Sequence, residues 1–251
     1  MTSRSMFSAL TVAFALGAFA APSVAQVPAN LTAALADPAR PATDTARDAA
    51  RHPGEILALA NIKPGGKVVD LIIGGGYLTR ILSPAVGPTG AVYAYQPAEF
   101  IKFKAQYGED LKTVAAAYKN VTPLDASFGA LDLPDGLDAV ITVQNYHDLH
   151  LKAFPTDTAA KVDAEVFKSL KPGGVFLIVD HAAAAGSGLA APDTLHRIDI
   201  AAVKAEVEAA GFKLAAESPL LRNPADPHTA SVFDPAIRGK TDQFILKFVK
   251  P

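Results

Sequence analysis

The stretch Val68-Val69-Asp70-Leu71-Ile72-Ile73-Gly74-Gly75-Gly76-Tyr77 is an apolar run that ends in three glycines. The run predicts a buried strand over residues 67–73, and a helix is predicted to begin at Tyr77. Glycine is needed where the backbone takes a positive φ or approaches a ligand closely, and a helix start offers unpaired N–H groups. Because three successive glycines exceed what a bare turn needs, we interpret the turn as ligand-binding. A tight turn without a ligand is the alternative.

Strand-length apolar runs alternate with helix-length segments along the rest of the chain. Predicted strands cover residues 67–73, 91–95, 121–124, 137–143, 175–180, 212–217 and 243–249. This alternation predicts an α/β fold, a Rossmann-like, doubly wound and mainly parallel sheet with helices on both faces. Ligands bind such sheets beyond the carboxyl ends of the strands, so residues that follow strands one, two, four and five are the functional candidates.

The first 25 residues have the pattern of a secretory signal peptide. Arg4 gives a positive start, residues 6–21 are apolar, and Ser23-Val24-Ala25 offers small residues for cleavage before Gln26. A membrane anchor is the alternative, but the apolar run is short for a span of about 20 residues. We therefore expect export to the periplasm. The predicted organisation is a signal peptide (1–25), a flexible leader (26–45) and one folded domain (46–251).

Composition narrows the possible partners of the protein. The chain has 251 residues, of which 50% are hydrophobic, and this suits one α/β domain with a sizeable core. The net charge of -2 argues against nucleic acid as a partner. With no cysteine, the chain has no disulfides and no cysteine nucleophile. We expect no membrane association after signal cleavage, and the sequence leaves the oligomeric state open.

The glycine stretch resembles the first motif of the class I S-adenosylmethionine-dependent methyltransferases. Asp70 matches the acid of that motif, and Gly74 and Gly76 match its second and third glycines. Ile72 stands where the first glycine usually lies. At the end of the second strand, Gln96 occupies the place of the acid that binds ribose hydroxyls in such folds. Because an amide accepts hydrogen bonds without a charge, we predict weak binding of the adenosyl group.

Further segments resemble a family of exported bacterial predicted methyltransferases, over nearly all of the predicted mature chain. These segments are Arg51, Pro53, Leu170-Lys171-Pro172-Gly173-Gly174, Asn145-Tyr146-His147-Asp148, Asp180-His181, Leu195-His196-Arg197-Ile198-Asp199 and Gly239-Lys240-Thr241-Asp242-Gln243-Phe244. The resemblance implies the seven-stranded class I methyltransferase fold, S-adenosylmethionine as cofactor and a small-molecule substrate. The residues it implies for cofactor binding are Asp70, Gly74, Gly75, Gly76, Tyr77, Gln96 and, near the adenine, Asp125.

Polar side chains follow predicted strands four and five. Strand four is followed by Asn145, Tyr146, His147, Asp148 and His150, and strand five ends at Asp180 and His181. Adjacent parallel strands lie about 4.8 Å apart, so these groups are expected to converge on the glycine turn. The resemblance implies that Asn145 and Tyr146 orient the methyl acceptor. His147 or His181 is a candidate to take its proton, since histidine titrates near neutrality.

Several of these residues also have possible roles other than catalysis. Asp148 orients a histidine, holds an amine or caps a helix, and His150 is expected to be merely exposed. Asp199 is a candidate helix N-cap, and Arg197 is a candidate anchor for an anionic substrate. His147, His150, His181 and Asp148 are of residue types that can ligate zinc or manganese. Their spacing matches no metal motif, so we predict no metal site.

The function predicted from the sequence is methyl transfer from S-adenosylmethionine to a small molecule. One alternative is an exported ligand-binding protein without catalysis, which Ile72, Gln96 and export itself suggest, since the cofactor is made in the cytoplasm. The other alternative is a different enzyme on the same scaffold that uses His147, Asp148 and His181 directly.

Overall fold

A computed structural model describes residues 26–251. The predicted signal peptide, residues 1–25, lies outside the described residues. Between residues 26 and 251, no helix has both the length and the apolar character that crossing a membrane requires.

Ten α-helices and seven β-strands are formed by residues 26–251. The strands are β1 (Lys67–Leu71), β2 (Ala91–Tyr95), β3 (Val121–Leu124), β4 (Leu137–Val143), β5 (Leu170–His181), β6 (Lys213–Ser218) and β7 (Gln243–Val249). The helices are α1 (Ala29–Leu35), α2 (Ala42–Thr45), α3 (Asp48–Arg51), α4 (Pro53–Leu59), α5 (Thr79–Val86), α6 (Ala98–Phe103), α7 (Gln106–Ala117), α8 (Thr158–Ser169), α9 (Pro192–Leu195) and α10 (Ile200–Ala209). Two 3-10 helices, Phe128–Ala130 and Tyr146–His150, follow β3 and β4.

All seven strands join one sheet in the order β3-β2-β1-β4-β5-β7-β6. The first five strands in that order are parallel, and β7 runs antiparallel to both β5 and β6. Asp70 of β1 pairs with Ala94 on one side and with Ile141 on the other. The chain order reverses between β1 and β4, and this confirms the predicted doubly wound, mainly parallel sheet with its switch point beside the glycine turn.

The core lies on both faces of the sheet because successive strand side chains point to opposite faces. Val68 packs in one buried cluster with Ile81 of α5, whereas Val69 packs in the other with Val162 of α8 and Val203 of α10. Strands covered on both faces have no polar side to present to water. This double coverage explains the continuous apolar runs that identified the strands in the sequence.

The segment 26–45, predicted to be a flexible leader, instead packs onto the folded domain. Leu31 of α1 is fully buried in the cluster that contains α5. The side-chain amide of Asn30 donates hydrogen bonds to the carbonyls of Ile62 and Ala85, each at 3.1 Å. A helix of seven residues is too short to show a hydrophobic period among alanines and prolines. The packing that orders the segment therefore leaves little trace in its sequence.

Two further details concern the ends of helices α6, α7 and α10. Helices α6 and α7 are separate because Lys104 is extended between them with φ −145°. Asp199 is the N-cap of α10, since its carboxylate accepts a hydrogen bond from the Ala201 N–H at 3.0 Å.

Candidate functional site

A pocket of about 190 Å³ opens at the carboxyl ends of β1 and β4. Of the residues predicted from the sequence, it is lined by Asp70, Gly74, Gly75, Tyr77 and Asn145. A larger concavity of about 580 Å³ surrounds α5 and the turn before β2, and none of the predicted site residues lines it. Ligands of open α/β sheets bind at the switch point, so position favours the smaller pocket over the larger one.

The three glycines of the turn serve two different purposes. Gly74 and Gly75 line the pocket, and a Cβ added to either would meet nothing within 4 Å. At Gly76 a Cβ would lie 3.1 Å from Nη1 of Arg80 and 3.2 Å from Cγ2 of Val114, so this glycine permits close packing of the turn on α5 and α7. The first two glycines therefore form an open cradle, and the third supports it.

Ile72, at the position where the resemblance expects a glycine, has a backbone conformation that glycine adopts readily. Its φ is +66°, in the left-handed region that costs an L residue about 1–2 kcal/mol. A β-branched residue is an outlier there. The Ile72 side chain is buried, and its carbonyl accepts a hydrogen bond from Nδ2 of Asn145 at 2.9 Å. The strained residue is thus held by packing and by a contact across the mouth of the pocket.

Asp70 links β1 to the helix that follows the glycines. Its Oδ2 accepts a hydrogen bond from the Thr79 hydroxyl at 2.6 Å, and both residues are buried. Burial raises the pKa of Asp70 to about 6, and the hydrogen bonds from Thr79 and the charge of Arg80 oppose that rise. The acid of the motif is therefore a buried group that fixes the turn.

The Gln96 side chain is fully buried at the end of β2. Its Oε1 accepts a hydrogen bond from the Gly74 N–H at 2.9 Å. Because an N–H is a donor, this contact fixes which end of the amide faces the turn. Within residues 26–251 the Nε2 group of Gln96 has no hydrogen-bond partner. A buried donor of this kind costs free energy unless a ligand or water satisfies it.

Helix α3 and the residue before it supply a cationic wall that the sequence prediction missed. Arg47 and Arg51 line the pocket, with guanidinium carbons 4.7 and 4.9 Å from the Tyr77 ring centroid. The Tyr77 hydroxyl donates to Asp48 at 2.6 Å, and burial together with that carboxylate raises the pKa of Tyr77. Burial also lowers the pKa of Arg51. The four-residue spacing of Arg47 and Arg51, one helical turn, is the sequence signal that could have found them.

Gln144, the residue after β4, ties this wall to the sheet. Its φ is +64°, and its Oε1 accepts a hydrogen bond from Nη2 of Arg51 at 3.2 Å. Its Nε2 donates to Oε1 of Gln243 at 3.0 Å. The pocket thus has two non-glycine residues with positive φ, Ile72 and Gln144, at the ends of adjacent strands.

Tyr146 does not reach the pocket, although Asn145 beside it does. The Tyr146 ring is fully buried, and its hydroxyl donates to Asp163 at 2.8 Å. The 3-10 turn after Asn145 directs this ring toward α8 and α10, so Tyr146 does not line the pocket in which it is predicted to orient a methyl acceptor. The environment of Asp163 is itself unusual, because burial raises the pKa of that carboxyl to about 7.

His147 lies at the centre of a buried acid–histidine cluster. Its Nδ1 is 2.8 Å from Oδ1 of Asp180, and its Nε2 is 3.2 Å from Oδ1 of Asp148 and 3.3 Å from Nδ1 of His196. Burial lowers the pKa of His147, but the charge of Asp180 and hydrogen bonds to both carboxylates outweigh it and raise the pKa to about 10. In the absence of any bound ion, His147 is a cation at neutral pH and not a proton acceptor.

His181 has the opposite electrostatic environment. Its Nδ1 is hydrogen-bonded to the Thr241 hydroxyl at 2.8 Å. Burial lowers its pKa to about 4, against the attraction of Asp180. The ring centroids of His147 and His181 are 6.2 Å apart. His181 is therefore neutral at physiological pH, and its lowered pKa makes it a weak base.

Comparison with known proteins gives sequence relatives for part of the chain. No family model matches it. Over 127 residues, 49% of this chain, it is 31% identical to the ubiquinone/menaquinone biosynthesis C-methyltransferase UbiE of Burkholderia mallei. The match covers 46% of that relative, so the chain spans about half the length of the curated relatives it matches.

Solved structures match most of the chain. They include a SAM-dependent methyltransferase from Aquifex aeolicus (20% identity, TM-score 0.57, 82% of this chain and 93% of the other). The [4+2]-cyclase SpnF matches with 16% identity and a TM-score of 0.57, over 81% of this chain and 82% of the other. A possible exported protein from Bordetella parapertussis matches with 14% identity and a TM-score of 0.54, over 82% of this chain and 68% of the other. The chain has the class I methyltransferase fold. The match to SpnF shows that this fold does not fix the reaction.

Within the class I methyltransferase fold, three other residues lie away from their predicted positions. Asp125 is exposed at the end of β3 and does not line the pocket. His150 is not exposed, because its Nε2 contacts Glu206 at 3.0 Å and its side chain is 7% exposed. Arg197 is fully buried and bonded to Asp226 at 2.8 Å, so it is a structural ion pair and cannot anchor a substrate.

Proposed function

We propose that this protein is an S-adenosylmethionine-dependent methyltransferase that acts on a small molecule. The observation that carries the proposal is the open cradle at Gly74 and Gly75 beside the buried Gln96 amide, whose Nε2 has no partner within residues 26–251. An adenosyl group requires close backbone approach and hydrogen bonds to its ribose hydroxyls. The cradle offers the first. The Gln96 donor does not line the pocket, so it would offer the second once a seated ligand gives access to it.

The walls of the pocket fit the remaining parts of this cofactor. Gln96 Nε2–H would donate to a ribose hydroxyl, while its Oε1 stays on the Gly74 N–H. Arg47 and Arg51 would pair with the carboxylate at the amino-acid end, because guanidinium groups bind carboxylates well. Once bound, S-adenosylmethionine supplies an electrophilic methyl group on its sulfonium.

The residues on the acceptor side act mainly by positioning. Methyl transfer depends on an in-line approach, and a base is needed only where the acceptor must lose a proton. Asn145 is fixed by hydrogen bonds to the carbonyls of Ile72 and Val143, at 2.9 and 2.8 Å, and forms a rigid wall of the pocket. His181 has a lowered pKa and is therefore a weak base, so the proposal suits an acceptor that need not lose a proton to the protein. Charged His147 would instead orient the loop after β4 through Asp180.

A pair of matched glycine variants tests the cradle. Gly75 and Gly129 are both exposed, neither has a positive φ, and a Cβ at either meets nothing within 4 Å. We expect Gly75→Val to abolish binding of S-adenosylhomocysteine in calorimetric titration, because its side chain occupies the cradle. Gly129→Val should bind normally, and both variants should keep native circular dichroism. Unchanged binding by Gly75→Val would remove the cradle from the site.

Identification of a bound ligand separates the proposal from its alternatives. Protein purified gently and denatured should release S-adenosylmethionine or its demethylated product, as read by mass spectrometry. A different small molecule would favour the ligand-binding or other-enzyme alternative. We also propose that the protein is exported, on the signal-like pattern of residues 1–25. The fold shared with a possible exported protein from Bordetella parapertussis is consistent with export.

A further inference from the structure

His147, Asp148 and His196 each place one possible ligand atom within 4.8 Å of the others, beside the carboxyl ends of β4 and β5. His147 Nε2 lies 3.2 Å from Asp148 Oδ1 and 3.3 Å from His196 Nδ1, and the third pair, Asp148 Oδ1 and His196 Nδ1, is 3.6 Å apart. A tetrahedral zinc site with bonds of about 2.0–2.2 Å has ligand atoms about 3.3–3.6 Å apart. The three separations therefore match three corners of such a tetrahedron.

From this arrangement we propose that His147, Asp148 and His196 form a binding site for a divalent transition metal, with Zn²⁺ as the ion best suited to it. Two imidazole nitrogens and one carboxylate oxygen are ligands that this class of metal prefers. The proposal departs from the prediction of no metal site that was made from the sequence. It does not depend on S-adenosylmethionine binding, because none of the three ligands lines the cofactor pocket.

A buried carboxylate holds His147 in the orientation that a metal ligand needs. Asp180 is fully buried, and its Oδ1 lies 2.8 Å from Nδ1 of His147. The same carboxylate accepts the backbone N–H of His147 and of His181, each at 2.7 Å. This leaves Nε2 of His147 directed at the other two ligands. Metal-bound histidines commonly donate their second ring nitrogen to a carboxylate in this way.

Exposure of the three side chains increases across the site. The His147 side chain is 4% exposed, that of Asp148 is 14% exposed and that of His196 is 29% exposed. An ion could therefore enter from the side of the site where His196 lies. The ring centroid of Phe233 is 4.8 Å from that of His196. Three protein ligands leave a fourth position for water or a substrate oxygen, as in catalytic zinc sites. A water held there would be more acidic than bulk water.

The alternative occupant of the cluster is a proton. His147 charged at Nε2 would donate to Asp148 and His196 and satisfy the same three atoms without a metal. The two possibilities differ in what they predict for added metal. A proton-filled cluster gains nothing from Zn²⁺, whereas a metal site releases that proton and binds the ion.

The test uses untagged full-length protein, treated with a chelator and dialysed. Calorimetric titration with Zn²⁺, without S-adenosylmethionine, should give about one ion per chain. Co²⁺ should give the intense visible absorption of a four-coordinate site. His196→Ala and Asp148→Asn should each lower Zn²⁺ affinity about a hundredfold, and Asp180→Asn, which acts through His147, about tenfold.

Controls keep the result interpretable. His52→Ala removes a half-exposed histidine from another part of the domain and should leave Zn²⁺ affinity unchanged. Circular dichroism identifies a variant that fails to fold. The Co²⁺ spectrum is measured on the unaltered protein, so it tests the site even if a variant does not fold. Absence of Zn²⁺ binding at micromolar metal, or equal binding by folded His196→Ala and Asp148→Asn, would overturn the proposal. Either result leaves the proposed methyltransferase function untouched, because that function is read by adenosyl binding.

Discussion

The Oε1 atom of Gln96 accepts a hydrogen bond from the Gly74 N–H at 2.9 Å, which joins the end of β2 to the glycine turn. The residue that replaces the usual ribose-binding acid thus already uses its oxygen within the protein. Its Nε2 group is buried and has no partner within residues 26–251, and this is the donor that we propose a ribose hydroxyl satisfies. A carboxylate in the same position would keep the contact with Gly74 and present a second acceptor instead.

We predict that Gln96→Glu strengthens the binding of S-adenosylhomocysteine about tenfold. A hydrogen bond to a charged acceptor contributes about 1.5–3 kcal/mol, against about 0.5–1.5 kcal/mol for a neutral one, and about 1.4 kcal/mol is a factor of ten. Because position 96 is fully buried, the variant should also unfold at a lower urea concentration than the parent protein without ligand. Calorimetry and urea denaturation measure the two effects.

Gln106→Glu is the control for added charge, since Gln106 lies on an exposed face of α7. It should leave affinity for S-adenosylhomocysteine unchanged. Equal affinities for the parent protein and Gln96→Glu would mean that position 96 does not contact the ribose.

The arginine wall gives a prediction that separates the two ends of the cofactor. Arg51→Met should weaken binding of S-adenosylhomocysteine about tenfold or more, because a charged hydrogen bond to its carboxylate is lost. Methylthioadenosine, which lacks the amino-acid end, should bind the variant and the parent protein equally. Arg238→Met, on an exposed loop, is the control. A loss of the same size for both ligands would show that Arg51 supports the fold of the pocket and not the carboxylate.

The position of the site could be predicted because it follows from local patterns. Apolar runs identified the strands, and the parallel order brings the ends of β1 and β4 together at the glycine turn. Asp70, Gly74 and Asn145 therefore lie where the sequence placed them, around one pocket. Residues adjacent in the chain to a strand end are fixed in space by the sheet itself.

The acid–histidine cluster could not be predicted in full because one member comes from a distant part of the chain. His196 is 49 residues from His147 and reaches it from the end of α9. The direction of Tyr146 is set by a 3-10 turn and not by strand alternation, and the packing of α1 depends on a few buried contacts such as Leu31. Periodicity carries no information on such long-range contacts.

Export leads to a prediction about the mass of the mature protein. The full-length chain, expressed in a Gram-negative host, should be recovered from the periplasm with its first 25 residues removed, so that it begins at Gln26. Intact-mass measurement reads this directly. A matched variant with Ala25→Arg should be processed poorly, because the residue before the cleaved bond must be small. Recovery of uncleaved parent protein from the cytosol would contradict export.

Asp70 predicts a specific dependence of stability on pH. Its pKa in the folded state is about 6, above the ordinary 3.8, so folding favours the protonated carboxyl. The stability that this preference contributes is fully present below pH 4 and is lost as the pH rises through 6. The free energy of unfolding of the parent protein, relative to Asp70→Asn, should therefore fall by about 2.5 kcal/mol between pH 4 and pH 8.

Urea denaturation of the parent protein and the variant at each pH measures that difference, because other titrating groups cancel. The control is Asp135→Asn, at an exposed loop position. Its difference from the parent protein should be much smaller, because the side chain is exposed to solvent. A flat difference for Asp70→Asn would show that Asp70 keeps an ordinary affinity for protons in the fold.

The backbone of Ile72 predicts an inverted order of stability between alanine and glycine. Both Ile72→Ala and Ile72→Gly lose a buried side chain and should be less stable than the parent protein by about 2–5 kcal/mol. At an ordinary backbone position alanine is the more stable of the two by about 0.5–1 kcal/mol. At φ +66° alanine retains the left-handed strain, which glycine releases, so we expect Ile72→Gly to be the more stable variant by about 1 kcal/mol. The same pair at Ile73, which is also buried and has no positive φ, should show the ordinary order in urea denaturation. If alanine is the more stable at both positions, then Ile72 does not hold the strained conformation that a glycine would adopt at this turn.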